Sequence, residues 1–174
     1  QQGVTDQDAK LAGLIQAKGR ACIILVNKWD ALEEKDTHTA GEYVKQIRDD
    51  LKFVAYAPIL FISALKGQRV HKILGLVDKV ARNYNSRIGT GEVNRLVERT
   101  LHSHHPPMHK GKNLKIYYGS QVSVAPPTFL LQVNYREAIH FSYERYIYNQ
   151  FRESLDYEGT PIRIVFKDRK RQSK

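Results

Sequence analysis

Ala21-Cys22-Ile23-Ile24-Leu25-Val26 runs without a break into Asn27-Lys28-Trp29-Asp30. The first six residues are apolar and three of them are β-branched, which predicts a strand buried on both faces. Its carboxyl end then presents an amide, an ammonium and a carboxylate. In open α/β sheets ligands bind at the carboxyl ends of strands, so Asn27, Lys28 and Asp30 are the first candidate site residues. Cys22, the single cysteine, sits inside the apolar run; it excludes an intramolecular disulfide and reads as core in a reducing compartment.

The flanks of this stretch alternate helix and strand. Thr5 or Asp6 can cap a helix running to about Lys18, Leu11, Leu14 and Ile15 fall at helical spacing, and Gly19 supplies the stop. After the tetrad, an acidic loop (Glu33, Glu34, Asp36) leads to a second helix from about Thr39 to Leu51, with Tyr43, Val44, Ile47 and Leu51 on one face. Ile59 to Ile62 is a second apolar strand, and it ends in the polar turn Ser63-Ala64-Leu65-Lys66-Gly67. A third helix, near Val70 to Asn83, carries Ile73, Leu74, Val77 and Val80 at a core-facing period. Such alternation indicates crossover units and a parallel sheet. Two strands alone leave edges and faces open, so residues 1–85 read as the closing part of a larger α/β domain.

The polar, glycine-bearing segment from Asn83 to Gly91 marks a boundary. Beyond it, Thr90 can cap a helix to about His104 with Val93, Leu96, Val97, Thr100 and Leu101 inward, and Pro106-Pro107 ends it. Leu114 to Ser123 and Thr128 to Asn134 read as strands joined at the Pro126-Pro127 corner. Ile139 to Leu155 is a long helix, Pro161 to Phe166 a last strand, and Lys167 to Lys174 a basic tail. The order α-β-β-α-β makes residues 86–174 a small α+β sandwich, so the chain as a whole is α/β followed by α+β.

The formal net charge is +10, spread unevenly: residues 1–85 carry 13 Lys+Arg against 10 Asp+Glu, and residues 86–174 carry 15 against 8. A basic half in a chain with ten Tyr and six Phe points to a polyanionic partner, nucleic acid before a membrane surface, with simple solubility as the alternative. No run approaches the ~20 apolar residues that span a bilayer, and no signal-peptide pattern opens the chain.

The tetrad carries the sharpest chemistry. A carboxylate at Asp30 can accept two parallel hydrogen bonds from guanine N1–H and N2–H, an edge that adenine does not offer. Lys28 can lay its methylene stem along the base, Asn27 can bridge the loops that hold it, and Ser63 and Ala64 can offer backbone N–H groups to guanine O6. Trp29 reads as packing. Turns after strands favour Asn and Asp in any case, so the second strand-end turn, 36 positions after Asn27, is what strengthens the guanine reading.

Asn27-Lys28-Trp29-Asp30 with Ser63-Ala64-Leu65 resembles the fourth and fifth guanine-nucleotide motifs of translation-factor-type GTPases. Lys115-Ile116-Tyr117-Tyr118-Gly119-Ser120-Gln121-Val122, Ala125-Pro126-Pro127-Thr128-Phe129, His140-Phe141-Ser142-Tyr143-Glu144-Arg145-Tyr146 and Glu158-Gly159-Thr160-Pro161-Ile162-Arg163 are similar to the C-terminal domain of the Der/EngA double-GTPase ribosome-assembly factors. The resemblance implies the C-terminal part of a P-loop-type GTPase domain over residues 1–85, and a KH-like domain over 86–174. It also implies GTP or GDP as ligand, and the large ribosomal subunit with its rRNA and the neighbouring GTPase domains as partners. The setting it implies is the bacterial cytoplasm or a plastid stroma. Guanine-binding residues carried over are Asn27, Lys28, Asp30, Ser63, Ala64 and Leu65.

The departures limit what this chain can do. None of the family's glycine-rich phosphate loop, threonine switch and Asp-x-x-Gly turn is read in this chain, so hydrolysis has no apparatus here. Mg²⁺ is expected only in the intact protein, no residue is assigned as catalytic or metal-ligating, and the chain alone is expected to be inactive. A KH module grips phosphates with a Gly-x-x-Gly loop, and Gly89-Thr90-Gly91 has the wrong spacing. Arg136, Lys167, Arg169, Lys170 and Arg171 are therefore the candidate RNA contacts, acting on polyanion charge rather than on bases. Arg145 and Arg152 share their helix with Glu144 and Glu153 and equally suit a solvated face. His102, His104, His105 and His109 read as a surface or RNA-facing loop before a metal site, and the aromatics of the 139–155 helix as core before base-stacking residues.

Overall fold

The computed structural model describes residues 3–31, 37–104, 106, 108, 109 and 111–169. Two compact units emerge: Gln1–Tyr84 with Tyr157–Pro161, and Asn85–Asp156 with Ile162–Lys174. The acidic loop at 33–36 and the tail residues Lys170 and Arg171 lie outside the described residues.

In the first unit, α1 (Asp6–Ala17) opens on a capping box. The Thr5 hydroxyl oxygen accepts the Asp8 N–H at 3.3 Å, and an Asp8 carboxylate oxygen accepts the Thr5 N–H at 2.9 Å. Gly19, at φ +63°, turns the chain out of the helix. Then come β1 (Ile24–Val26), α2 (Thr37–Asp50), β2 (Ile59–Phe61) and α3 (Lys72–Asn85). β1 and β2 pair in parallel with Ile24, Leu25 and Val26 against Ile59, Leu60 and Phe61, the pairing that a strand–helix–strand crossover requires. Ala12, Ile47, Leu51, Val54, Tyr56 and Ala57 form the core.

Several expectations fail here for one reason. Leu25 is 42% exposed, so β1 is not buried on both faces. Leu74 and Val77 of α3, expected to face the core, are exposed, leaving Val80 as the buried residue of that helix. A core-facing period buries a side chain only where another layer covers it, and among the described residues a two-stranded sheet does not extend far enough. Cys22 falls outside β1, half-buried; its N–H donates to the Gly159 carbonyl at 2.9 Å, and burial pushes its thiol above the ordinary value.

Gly159 belongs to the five late residues that count with this unit. Its own N–H donates to the Tyr56 carbonyl at 2.8 Å, so one residue ties the approach to β1 to the approach to β2. Beside it, Lys79 and Glu158 pair at 2.6 Å and the Asn83 amide donates to the Glu158 carbonyl at 3.0 Å.

The second unit follows the expected α-β-β-α-β order. It contains α4 (Thr90–Ser103), β5 (Ile116–Ser123), β6 (Thr128–Val133), α5 (Phe141–Ser154) and β7 (Arg163–Asp168), with a minimal hairpin, β3 (Met108–His109) and β4 (Lys112–Asn113), after α4. The hairpin was not expected; two-residue strands carry no periodicity to read. β5 and β6 are antiparallel, β6 and β7 parallel, in the order β5-β6-β7. Thr90 does not cap α4: that place belongs to Gly89, which makes no side-chain cap bond.

Val93, Leu96 and Val97 of α4, Phe129, Leu131 and Val133 of β6, and Tyr143, Ile147 and Phe151 of α5 are buried, and the Phe129 and Phe151 rings meet edge-on at 5.2 Å. Each large side chain so buried contributes about 2–3 kcal/mol. Gly119 allows α4 to close on β5: a Cβ there would come within 2.9 Å of both Leu131 and Val93. The Asn94 amide fills the same contact, donating to the Gly119 carbonyl at 3.0 Å and accepting its N–H at 2.9 Å. The α5 aromatics divide: Tyr143 and Phe151 are core as expected, whereas Phe141 is 72% exposed.

Candidate nucleotide site and basic sheet edge

β1 and β2 run parallel, so their carboxyl ends deliver two loops to the same side of the first unit. Asn27 is the joint between them. Its side-chain oxygen accepts the Lys28 N–H at 2.8 Å and, across 37 positions, the Ala64 N–H at 3.0 Å. Asn27 thus joins the two strand-end loops to each other. A second tie runs from the Trp29 N–H to the Ile62 carbonyl at 3.0 Å.

Lys28 sits at φ +61°, the left-handed region that costs a non-glycine residue about 1 kcal/mol. That conformation, held by Asn27, places Trp29 inward and starts the 3₁₀ turn Trp29–Ala31 that carries Asp30. Trp29 is buried against Phe61, centroids 4.3 Å apart, and edge-on to Tyr43 at 5.9 Å, which is the packing role expected of it. Asp30 is half-buried.

The second loop is equally organised. Ser63 is fully buried; its N–H donates to the Gln68 carbonyl at 3.1 Å and its hydroxyl accepts the Lys66 N–H at 3.1 Å. The Ser63 and Ala64 N–H groups, expected to face guanine O6, are therefore engaged within the protein. Leu65 is 89% exposed. A cleft of about 550 Å³ runs along α1, β1 and α2 and reaches Asn27 and Lys28, but its remaining walls, among them Val4, Leu11, Ile15, Leu25 and Ile47, are chiefly apolar. It is an uncovered flank of β1 rather than a polar ligand pocket. Contrary to the expectation that the chain holds no Asp-x-x-Gly, Asp156-Tyr157-Glu158-Gly159 spells one; it lies beyond α5, and Gly159 is committed to Cys22 and Tyr56.

In the second unit Arg136, Lys167 and Arg169 are all exposed. Arg136 and β7 meet where the Arg136 N–H donates to the Asp168 carboxylate at 2.7 Å, so these three cations gather at one end of the sheet. The Arg169 guanidinium lies 5.0 Å above the Tyr117 ring. Tyr117 was not among the expected site residues; two adjacent tyrosines in a strand that otherwise alternates are the signal that marks them. His104 packs against Tyr143 and Tyr146, and its carbonyl accepts the Tyr143 hydroxyl at 3.1 Å. Among the described residues no group of three His, Cys, Asp or Glu could hold a metal ion, and no helix is long and apolar enough to cross a membrane.

Residues 87–167 match the family model described as the KH-domain-like C-terminal domain of EngA bacterial GTPase enzymes, and residues 1–83 match that of the elongation factor Tu GTP-binding domain. The chain is 50% identical to a GTPase Der from Synechococcus sp. (strain JA-3-3Ab) over 97% of its own length and 37% of that protein. It is 49% identical to GTPase Der of Moorella thermoacetica over 95% and 38%, and 43% identical to that of Geobacter metallireducens over 99% and 39%. The chain thus spans about two fifths of the length of these curated relatives. Two matched regions that together span most of the chain, with identity along nearly its whole length, place it in the Der/EngA GTPase family.

Proposed function

We propose that this chain forms the guanine-reading part of a GTP-binding, ribosome-assembly GTPase, with its KH-like domain engaging rRNA of the large ribosomal subunit or the neighbouring GTPase domains. The observation that carries the reading is the Asn27 bridge: one amide joins the two strand-end loops, so the tetrad and Ser63-Ala64-Leu65 form a single site. Asp30 sets the base through its carboxylate, Lys28 covers the base plane, and Asn27 holds both loops to it. For an Ala64 N–H to reach guanine O6, the Asn27 oxygen must share or release it. GTP and GDP are the ligands, and Mg²⁺ enters with phosphate-binding residues that these 174 positions do not contain.

The internal engagement of the Ser63 and Ala64 N–H groups favours a second reading, in which the first unit is scaffold and the chain is a non-catalytic RNA- or ribosome-binding module. Titration with fluorescent GDP and GTP, with ATP as control, separates the two. Weak binding that prefers guanine and disappears in Asp30→Ala supports the first; equal or no response to all three nucleotides supports the second. GTP turnover by the purified chain should be negligible, and turnover that survives Asp30→Ala would refute both.

A further inference from the structure

Among the described residues, the KH-like unit covers one face of its sheet with α4 and α5 and leaves the other open. Strand register identifies the open face. Gly119, Gln121, Phe129, Leu131 and Val133 point into the core, so Tyr118 and Ser120 of β5, Leu130 and Gln132 of β6, and Arg163, Val165 and Lys167 of β7 lie outward. Pairing sets Tyr118 beside Gln132 beside Lys167, and Ser120 beside Leu130 beside Val165.

A bulge modifies this pattern at one edge. Ile116 and Tyr118 pair with the adjacent residues Val133 and Gln132, so Tyr117 is the extra residue. The bulge breaks the alternation, and both tyrosines become exposed, Tyr117 at 47% and Tyr118 at 42%. Arg169 crosses to the Tyr117 ring. The face therefore combines two aromatic rings with three cations, Arg163, Lys167 and Arg169. No outward strand position carries a carboxylate, and Asp168, the acid on β7, is turned to the Arg136 N–H.

We propose that this open sheet face binds single-stranded RNA, with bases stacking on Tyr117 and Tyr118 and the phosphates lying along Arg163, Lys167 and Arg169. The inference rests on the rRNA reading above and adds the surface and the form of the nucleic acid. Stacking platforms of this kind tolerate any base because every base has a π-face, and a row of cations tracks the strand. Two strand spacings separate Tyr118 from Lys167, about 10 Å, so one short strand of nucleic acid can touch both. A duplex keeps its bases stacked on one another and has nothing to offer the rings. The surface is also independent of a Gly-x-x-Gly loop, which this sequence lacks.

The test is fluorescence anisotropy of the whole chain with a short labelled single-stranded oligoribonucleotide and with a duplex of the same length, at several salt concentrations. The single strand should bind more tightly than the duplex. Tyr118→Ala and Tyr117→Ala should each weaken it roughly 5- to 100-fold, and Tyr118→Phe should retain it. Three phosphate contacts predict a slope of log K against log salt near −2, which Lys167→Ala should reduce by about 0.7. Far-ultraviolet circular dichroism and thermal melts confirm that the variants fold. Single-strand binding left unchanged by the tyrosine and lysine variants, or a preference for the duplex, overturns the sheet-face site while leaving an rRNA contact elsewhere on the chain. Absence of RNA binding by the unmodified chain overturns the rRNA reading itself.

Discussion

Asn27 and Ala64, 37 positions apart, are joined by a 3.0 Å hydrogen bond from the Ala64 backbone N–H to the Asn27 side-chain oxygen. The same oxygen accepts the N–H of Lys28, whose left-handed backbone needs such a hold. Removing the amide in Asn27→Ala leaves two backbone donors without this acceptor, at a net cost near 1 kcal/mol for each bond. Amide hydrogen exchange at Lys28 and Ala64 should accelerate about tenfold while amides of α4 and β6 keep their rates. Unchanged protection at Ala64 would show that the loops do not depend on Asn27.

Gly159 stands at φ +74°, and any Cβ placed there would overlap the Val80 side chain, with Val80 Cγ1 at 2.8 Å. Gly159→Ala therefore meets both a backbone penalty of about 1 kcal/mol and an overpacking penalty of about 1–3 kcal/mol. The two parts are separable. In the double variant Gly159→Ala/Val80→Ala the steric part should be relieved and the backbone part should remain, so its loss of stability should be smaller than the sum of the single losses. Additive losses in urea unfolding would mean that Val80 is not what Gly159 accommodates.

What could be read in advance was whatever is local or punctuated. The helix start capped at Thr5 or Asp6, the Gly19 stop, the apolar runs ending in Asn27 and Ser63, and the inward set Val93, Leu96, Val97 and Thr100 all rest on neighbours within a few residues. Leu25 and Leu74 misled because an apolar run or period says which side of an element is apolar, not whether another layer reaches it. The role of Gly159 was hidden because its partners Cys22 and Tyr56 lie more than a hundred positions upstream. Among the basic residues, composition marked Arg136, Lys167 and Arg169 but could not show that a bulge puts Tyr117 beneath Arg169.

Gln121 is the buried polar residue on which the start of the second unit depends. Its side-chain oxygen accepts the Ile88 N–H at 2.8 Å, and its amide nitrogen donates to the Ser86 carbonyl at 2.9 Å and the Ser123 carbonyl at 3.1 Å. Replacing it by Leu keeps the bulk and strands those backbone groups, so Gln121→Leu should lose about 2–4 kcal/mol. Gln121→Glu retains the acceptor for Ile88 but sets a carboxyl group against two carbonyls; it should be destabilised most at neutral pH and recover part of the loss as acid protonates it. Equal stability of Gln121→Leu and the unmodified chain in denaturant titration would show that water satisfies residues 86–88 equally well.

Tyr143 supplies a pH signature for the packing of α5. Its phenol is buried beside His104 and Tyr146, and desolvation, reinforced by the neighbouring Tyr146 phenol, raises its pKa to about 12. The ordinary phenol value is near 10. A folded-state value above the unfolded one means that the neutral phenol favours the fold: its contribution is complete below pH 10 and is lost as pH rises through about 12. Tyr143→Phe also loses the hydrogen bond to the His104 carbonyl, so it should be slightly less stable at pH 8. Between pH 10 and 12, however, its stability should fall less steeply than that of the unmodified chain. In absorbance titration of the folded proteins the two should coincide up to about pH 11 and diverge above it, where the unmodified chain gains one further phenolate, that of Tyr143. A difference spectrum that titrates near pH 10 would place Tyr143 in contact with water and remove it from the core.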